Sequence, residues 1–362
     1  MGRKQQISHL IPKNHFCSLS MFREEPLINW TFTRSVLFTA YDVYRSNDFW
    51  LDSVISSGVT LKEALVELGF PKTNTIIADT GIFEMEAKRA GIARNLGIHV
   101  DIELSNDQIF EAYELSGADY FVSPDVIVLP TDQPDTIHNK INTMMSNLND
   151  LLERVSPTKV IAVIQGHQQS IIDNQLDFYR ENDVRCYAMG GVIPLYHHDK
   201  KLLEKTLEYV RGETRDDWLH VFGLPRIGLL SYYLRDMGFD SVDTSMLLYM
   251  SARRKYMEGL NPITVKDATF EKCGCPGCTE LVALKHAAQS SEFFVNLYIH
   301  NIITAARESL RLSNGSSKLQ EVPLKVYPEN ARSISNIDEN PISGTYELEW
   351  MRADETMSEN RE

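Results

Sequence analysis

Seven short runs of β-branched and aliphatic residues recur between residues 35 and 245, each separated from the next by polar or amphipathic chain. They are SVLFTAY (35–41), TIIADT (75–80), DYFVSPDV (119–126), KVIAVIQG (159–166), RCYAMGGV (185–192), WLHVFGLP (218–225) and FDSVDTS (239–245). Near-continuous apolar strands joined by helices predict a parallel sheet covered on both faces. Helical connections are visible at 106–117, where Ser105 can cap and Gly117 can terminate, and at 197–212, where Leu202, Leu203, Leu207 and Val210 share a face. Seven strands suit a doubly wound sheet or a (β/α)8 barrel with one strand weakly marked. The strand ends favour the barrel: ADTG, SPD, IQG, MGG, FGLP and VDTS all place polar residues or glycine at the C-terminal tip. A barrel brings such tips to one rim, where its chemistry sits, whereas a doubly wound sheet concentrates them at a single crevice. The fold expected is α/β, a TIM-like (β/α)8 barrel.

Beyond residue 265 the alternation stops. Six residues, CGCPGC, carry three of the chain's five cysteines, at 273, 275 and 278, and a helical stretch follows at 292–312. From Ser313 onward ten acids face five bases with few aliphatics, the composition of a polar tail without a core of its own. The expected division is a catalytic barrel over 1–265, a small module over 266–312 and an acidic tail over 313–362.

A net charge of −14 argues against a broad, non-specific grip on nucleic acid, although Arg253, Arg254 and Lys255 could form a local basic strip or a solvated helix face. No apolar run reaches the roughly 20 residues that span a bilayer, and the start has no apolar leader core. An odd cysteine count in that setting points to the reducing cytoplasm, where clustered cysteines bind metal more often than they pair. Three thiolates in a C-x-C-x2-C pattern can reach one tetrahedral ion at roughly 2.3 Å each. His286 or His300 could complete the set. A filled Cys3His shell leaves no open position for water, so the ion expected is structural zinc. A redox role is disfavoured, because redox C-x-x-C pairs open a helix beside a strand.

A C-x-C-x2-C cluster followed by a helical His-Asn, here His300–Asn301, resembles the zinc site of the tRNA-guanine transglycosylase superfamily, the queuine and archaeosine tRNA-ribosyltransferases. That resemblance prefers His300 as fourth ligand. It implies a (β/α)8 barrel that exchanges guanine in nucleic acid for a 7-deazaguanine base. The rim tips match in order. DTGIFE (79–84) resembles the family's early Asp-Ser-Gly-Gly-aromatic-Gln stretch, which makes Asp79 the acid/base group and Phe83 one face of a base sandwich. Asp125 falls where the family reads the guanine edge, Gln165 resembles its Gln-Gly, and Gly190 with Gly191 its Gly-Gly. Phe222–Gly223 resembles the pair that closes the sandwich, and Asp243 in FDSVD falls in the nucleophile's place.

Chemistry supports the same roles. A carboxylate can capture the oxocarbenium-like sugar carbon and split the exchange into two easier steps. A second carboxyl can give and take the proton of the departing and arriving bases. An ionised Asp125 suits the N–H donors of guanine, and the Gln165 amide can both donate and accept. Glycines let backbone approach a base, and phenylalanine faces stack on it for roughly 1–3 kcal/mol. Plainer readings compete. Asp243 could cap the helix that follows, Asp240 is a rival nucleophile, Asp79 and Asp125 could cap loops, and the phenylalanines could be core. Tyr196–Asp199, YHHD, reads as a helix cap beside exposed histidines rather than a metal site. A barrel hydrolase with a metal at the rim is a further possibility, but His167 and His220 do not make a ligand set.

Ile82 and Glu84 depart from the family's second glycine and glutamine, and the bacterial N-terminal block and the archaeal RNA-binding extension have no counterpart. A compact, divergent chain of this kind resembles the DNA-acting branch, which inserts bases such as 7-cyano-7-deazaguanine. That branch is preferred, with a tRNA enzyme or a non-catalytic scaffolding subunit as alternatives. The partners implied are DNA or tRNA, a free 7-deazaguanine and, through the zinc module, a second copy of the chain as a homodimer.

Overall fold

A computed structural model describes residues 14–18, 35–44, 56–67, 72–82, 103–244 and 246–313. Phe83, Glu84 and the tail from residue 314 lie outside the described residues. Eight parallel strands close a barrel in chain order. They are β1 (Asn14–Ser18), β2 (Ser35–Thr39), β3 (Thr75–Asp79), β4 (Tyr120–Val122), β5 (Val160–Ile164), β6 (Cys186–Met189), β7 (Trp218–Val221) and β8 (Ser241–Asp243). β1 pairs with both β2 and β8, which completes the ring. It is the strand the apolar pattern does not mark, because NHFCS has no β-branched run. β4 and β8 are shorter than their apolar runs: Pro124 has no N–H to donate, so the chain leaves the ladder there toward Asp125, and Thr244 follows Asp243 out of the ladder.

Alternation along the strands builds two layers of core. Leu37, Ile77, Ile161, Val163, Ala188 and Trp218 fill the barrel. Their neighbours Phe38, Ile76, Ala162, Tyr187, Leu219 and Val242 face the helices. Cys186 lies among the inner residues, and burial, reinforced by Asp217 and Asp240, pushes its thiol from 9.0 up to about 12. At neutral pH that thiol is inert packing rather than a nucleophile.

The helices begin and end where local chemistry dictates. Ser105 and Gln108 form a reciprocal capping box on Asn106–Ser116, and Gly117 closes that helix with φ 59°. Asp199 caps Lys200–Glu213 through the amides of Lys201 and Leu202, with Leu203, Leu207 and Val210 buried and Leu202 half-buried at the edge. His197 and His198 beside this cap are exposed.

After β8 the chain forms a helix, Met246–Ala252, then an antiparallel hairpin of β9 (Lys255–Glu258) and β10 (Asn261–Thr264). The helices Pro276–Ala283 and Ser291–Ser313 follow. The last helix serves two cores. Tyr298, Ile302 and Ala305 join the barrel-side core, whereas Phe293, Leu297 and Ile303 join a separate cluster with Tyr256, Phe270, Cys275, Cys278 and Leu281. Tyr256 comes from β9, so the small core draws on chain before residue 265. Arg254, at φ 57°, donates from Nε to the Ala288 carbonyl at 2.6 Å and lies 5.8 Å from the Phe293 ring. It braces the hairpin against the last helix and is neither a free basic strip nor a solvated face.

Candidate active site and metal-binding cluster

Parallel strands in one barrel present all their C-terminal ends at one rim. Asp79 ends β3, half-buried, with Oδ2 accepting from the Gly81 amide at 3.3 Å. Asp125 follows β4 and is 7% exposed. Gln165 follows β5 and donates from Nε2 to Asp125 Oδ2 at 2.7 Å, while its Oε1 accepts from the Val128 amide at 3.3 Å. Gln175 grips the backbone of Gln165 from the next helix, accepting from its N–H at 3.0 Å and donating to its carbonyl at 2.9 Å. The Gln165 amide, expected from sequence to read a base edge, also holds Asp125 through one of its N–H groups. Behind them, burial raises the pKa of Tyr113 well above its ordinary value, and the carboxylates of Asp79 and Asp125 add to the rise. Both acids thus lie within electrostatic reach of one buried hydroxyl.

Gly190 and Gly191 make room for this amide. A Cβ on Gly190 would run into Gln165 Nε2 and lie 2.9 Å from Cδ, and one on Gly191, at φ 64°, would lie 2.8 Å from Oε1. A small cleft lined by Val128, Gly166, His167, Met189, Gly190, Gly191 and Leu195 opens beside it. Gly190→Ala is expected to displace the Gln165 amide, to lower stability by about 1–3 kcal/mol and to release Asp125 from its partner. Thermal melts read the first effect. A KM for the incoming base raised on the order of tenfold, against a smaller change in kcat, reads the second.

Asp243 ends β8 on the same rim. Its Oδ1 accepts from the Gly223 amide at 2.9 Å and faces His220 Nε2 at 3.2 Å, while its carbonyl accepts from Leu224 N at 2.8 Å. Gly223 reaches this position with φ 69°. Phe222 is half-buried, its ring centroid 4.7 Å from that of His220. At the start of the next helix it is Thr244 Oγ1 that accepts from Met246 N, at 3.1 Å. Asp240, the rival nucleophile, lies at the opposite end of β8. It is 7% exposed and accepts from Leu219 N and Arg211 Nη1, each at 3.0 Å. That is a buried structural ion pair below the barrel, away from the rim.

Cys273, Cys275, Cys278 and His300 bring one donor atom each within 4.8 Å of one another. The three sulfurs lie 3.5, 3.4 and 3.2 Å from His300 Nδ1. Tetrahedral zinc with ordinary bond lengths would set those separations at roughly 3.6 Å, so the donor set fits such an ion. His300 Nε2 lies 2.9 Å from the Met257 carbonyl, which fixes the proton there and frees Nδ1 as ligand. Tyr256 stacks on the His300 ring at 3.9 Å and 6°. Asn301, fully buried, accepts from Met257 N and donates to Ser251 Oγ and the Lys255 carbonyl, tying the hairpin to the ligand-bearing helix. Gly277 allows the Cys278 helix to seat, since a Cβ there would meet the Asn296 carbonyl and lie 2.9 Å from His300 N. His286 is exposed in a separate turn and takes no part.

A family model described as queuine tRNA-ribosyltransferase matches residues 68–312, more than half of the chain. The chain belongs to this family. No curated protein matches it. Members of the queuine tRNA-ribosyltransferase family are pentosyltransferases that act on nucleic acid. The match runs from before β3 through the last described helix and takes in every candidate rim residue and all four metal-ligand candidates. No helix among the described residues is long and apolar enough to cross a membrane.

Within this barrel the structure joins Asp125 to Gln165, Gly190 and Gly191, and joins Phe222–Gly223 to Asp243. One contributor was missed by sequence reasoning. His220, in the middle of WLHV, reads as a satisfied core histidine. Only the strand register, which sets it opposite Ser241 on β8, brings it to Asp243 two residues further on.

Proposed function

We propose that this chain is a guanine transglycosylase that exchanges guanine in a polynucleotide for a 7-deazaguanine base through a covalent aspartyl-glycosyl intermediate. The observation that carries the reading is the Asp243 carboxylate, pinned through Oδ1 at a rim that also presents Asp79 and Asp125. In the first step Asp243 bonds to the sugar C1′ as the C1′–N9 bond breaks. The electron pair leaves with guanine, which takes a proton from Asp79. In the second step the arriving base gives its N9 proton to Asp79 and bonds to C1′, and Asp243 departs with its bonding pair as carboxylate. Asp125, held by Gln165, accepts from the Watson–Crick N–H groups of the base. Phe222 and Phe83 are assigned the two faces of a base sandwich by the family pattern. A paired base cannot reach this rim, so the target nucleotide is looped or flipped out.

Cys273, Cys275, Cys278 and His300 would hold structural zinc, which would supply a cross-link between the Cys273–Cys278 segment and the last helix and take no part in the chemistry. The module and the barrel are proposed as the two working units, with a homodimer formed through the module and a cytoplasmic location. DNA is preferred over tRNA as polymer on the departures from the family pattern at Ile82 and Glu84. The inserted base is of the 7-cyano-7-deazaguanine type. Retention of Asp79 and Asp243 together argues against a purely scaffolding subunit. Nucleoside analysis of DNA and tRNA from cells that express the protein and are supplied with 7-deazaguanines tests the polymer. A 7-deazaguanine in DNA alone is expected; its appearance in tRNA alone reverses the choice.

A further inference from the structure

We propose that His220 is the positioning residue of the Asp243 carboxylate, working with Ser241 as a buried Ser–His–Asp relay that holds one carboxylate oxygen and leaves the other for bond formation. This rests on the transglycosylase reading above, in which Asp243 is the nucleophile.

For a neutral imidazole the geometry defines the proton positions. His220 Nε2 lies 3.2 Å from Asp243 Oδ1, and Nδ1 lies 2.7 Å from Ser241 Oγ. A carboxylate only accepts, so the Nε2 proton points at Asp243. In the neutral imidazole Nδ1 then accepts, and the Ser241 hydroxyl is its donor. Ser241 is fully buried and His220 is 1% exposed, so neither group has water as an alternative partner. The ring cannot turn away. Trp218 lies parallel to it at 5.9 Å and 14°, and Phe222 meets it edge-on at 4.7 Å and 72°. Residues 218, 220 and 222 share the inward face of β7 and its extension, and His220 pairs directly with Ser241 of β8.

Both donors, His220 Nε2 and Gly223 N, fall on Oδ1. Among the described residues Oδ2 takes no hydrogen bond, and the Asp243 side chain keeps 18% exposure toward the rim. Oδ2 is therefore the oxygen that bonds C1′. In the ester, Oδ1 becomes the carbonyl oxygen. When the arriving base takes C1′, the bonding pair returns to the carboxylate, and the two donors stabilise the charge that spreads onto Oδ1. The relay thus assists departure of Asp243 more than its attack.

Removing the donor while keeping the ring, in His220→Phe, is expected to lower kcat about 10- to 100-fold, with the polymer KM falling alongside it because departure of Asp243 is slowed rather than its attack. The covalent adduct should persist rather than vanish. His220→Gln, whose Nε2 can still donate to Oδ1, should recover most of the loss. An unchanged kcat in His220→Phe overturns the proposal, as does a His220→Gln variant that melts like wild type yet is as slow as His220→Phe. A second measurement does not need activity. In 15N-histidine NMR of the wild-type protein, His220 should appear as the Nε2–H tautomer, and its Nε2 signal should move in Asp243→Ala. An Nδ1–H tautomer, or a signal indifferent to Asp243→Ala, also overturns it. Absence of exchange by wild type on both polymers would instead sink the transglycosylase reading, with the NMR result still deciding the relay.

Discussion

Asp243→Ala stops base exchange, with turnover falling on the order of 10⁴-fold or more, because Asp243 is the carboxylate assigned to capture the sugar carbon. The covalent adduct with nucleic acid, seen as a shifted band on a denaturing gel, disappears with it. Stability changes little by comparison. Asp243 is partly open to solvent, and its loss removes hydrogen bonds worth about 1–3 kcal/mol from Gly223 N and His220. Asp240→Ala makes the opposite pair of changes. It leaves Arg211 buried without its carboxylate, which costs about 3–5 kcal/mol, yet the fraction that remains folded should still form the adduct. Exchange lost in Asp240→Ala but kept in Asp243→Ala would reverse the assignment of nucleophile between two acids three residues apart.

Metal removal has the second large effect. Structural zinc contributes about 10–16 kcal/mol of apparent binding energy in small modules, and here its ligands would come from two segments that otherwise meet through one small apolar cluster. Without the ion, three thiols and an imidazole crowd within 4.8 Å in a mostly buried setting. The Cys278 helix should loosen first, exposing Phe270, Leu281 and Phe293. Because the last helix also packs Tyr298, Ile302 and Ala305 into the barrel-side core, the damage should pass to the barrel. Chelation is expected to lower Tm by more than about 10 °C and to open the 255–290 region to protease. Cys278→Ala should reproduce this without rescue by added zinc, whereas His286→Ala should leave both Tm and metal content as in wild type. A chelated protein with an unaltered melt would contradict a structural role for the cluster.

Much of this architecture is legible in the chain because its signals are local. Seven strands announce themselves by β-branched runs, and the polar tips of those runs are the rim residues. The metal ligands stand out by spacing, with His300 preferred over His286 only through the paired Asn301. The structure explains that pairing, since Asn301 anchors β9 beside the ligand. What sequence hides is long-range. β1 has no apolar run and is a strand only because β8 and β2 need a partner between them. Asp240 and Asp243 look equivalent until register sends them to opposite ends of β8. The Gln165 amide reads from sequence as a base reader, and its second task, joining Asp125 to the Val128 amide, shows only in three dimensions. His220 is invisible as a functional group because its partner lies on another strand.

The most direct measurement is incorporation of labelled guanine. Zinc-loaded protein is incubated with the labelled base and either duplex DNA or tRNA, and the label retained by each polymer is counted. The result expected is transfer into at least one of them by wild type and into neither by Asp243→Ala. No transfer into either polymer by wild-type protein with its full zinc content would contradict the assignment of this barrel as a base-exchange enzyme.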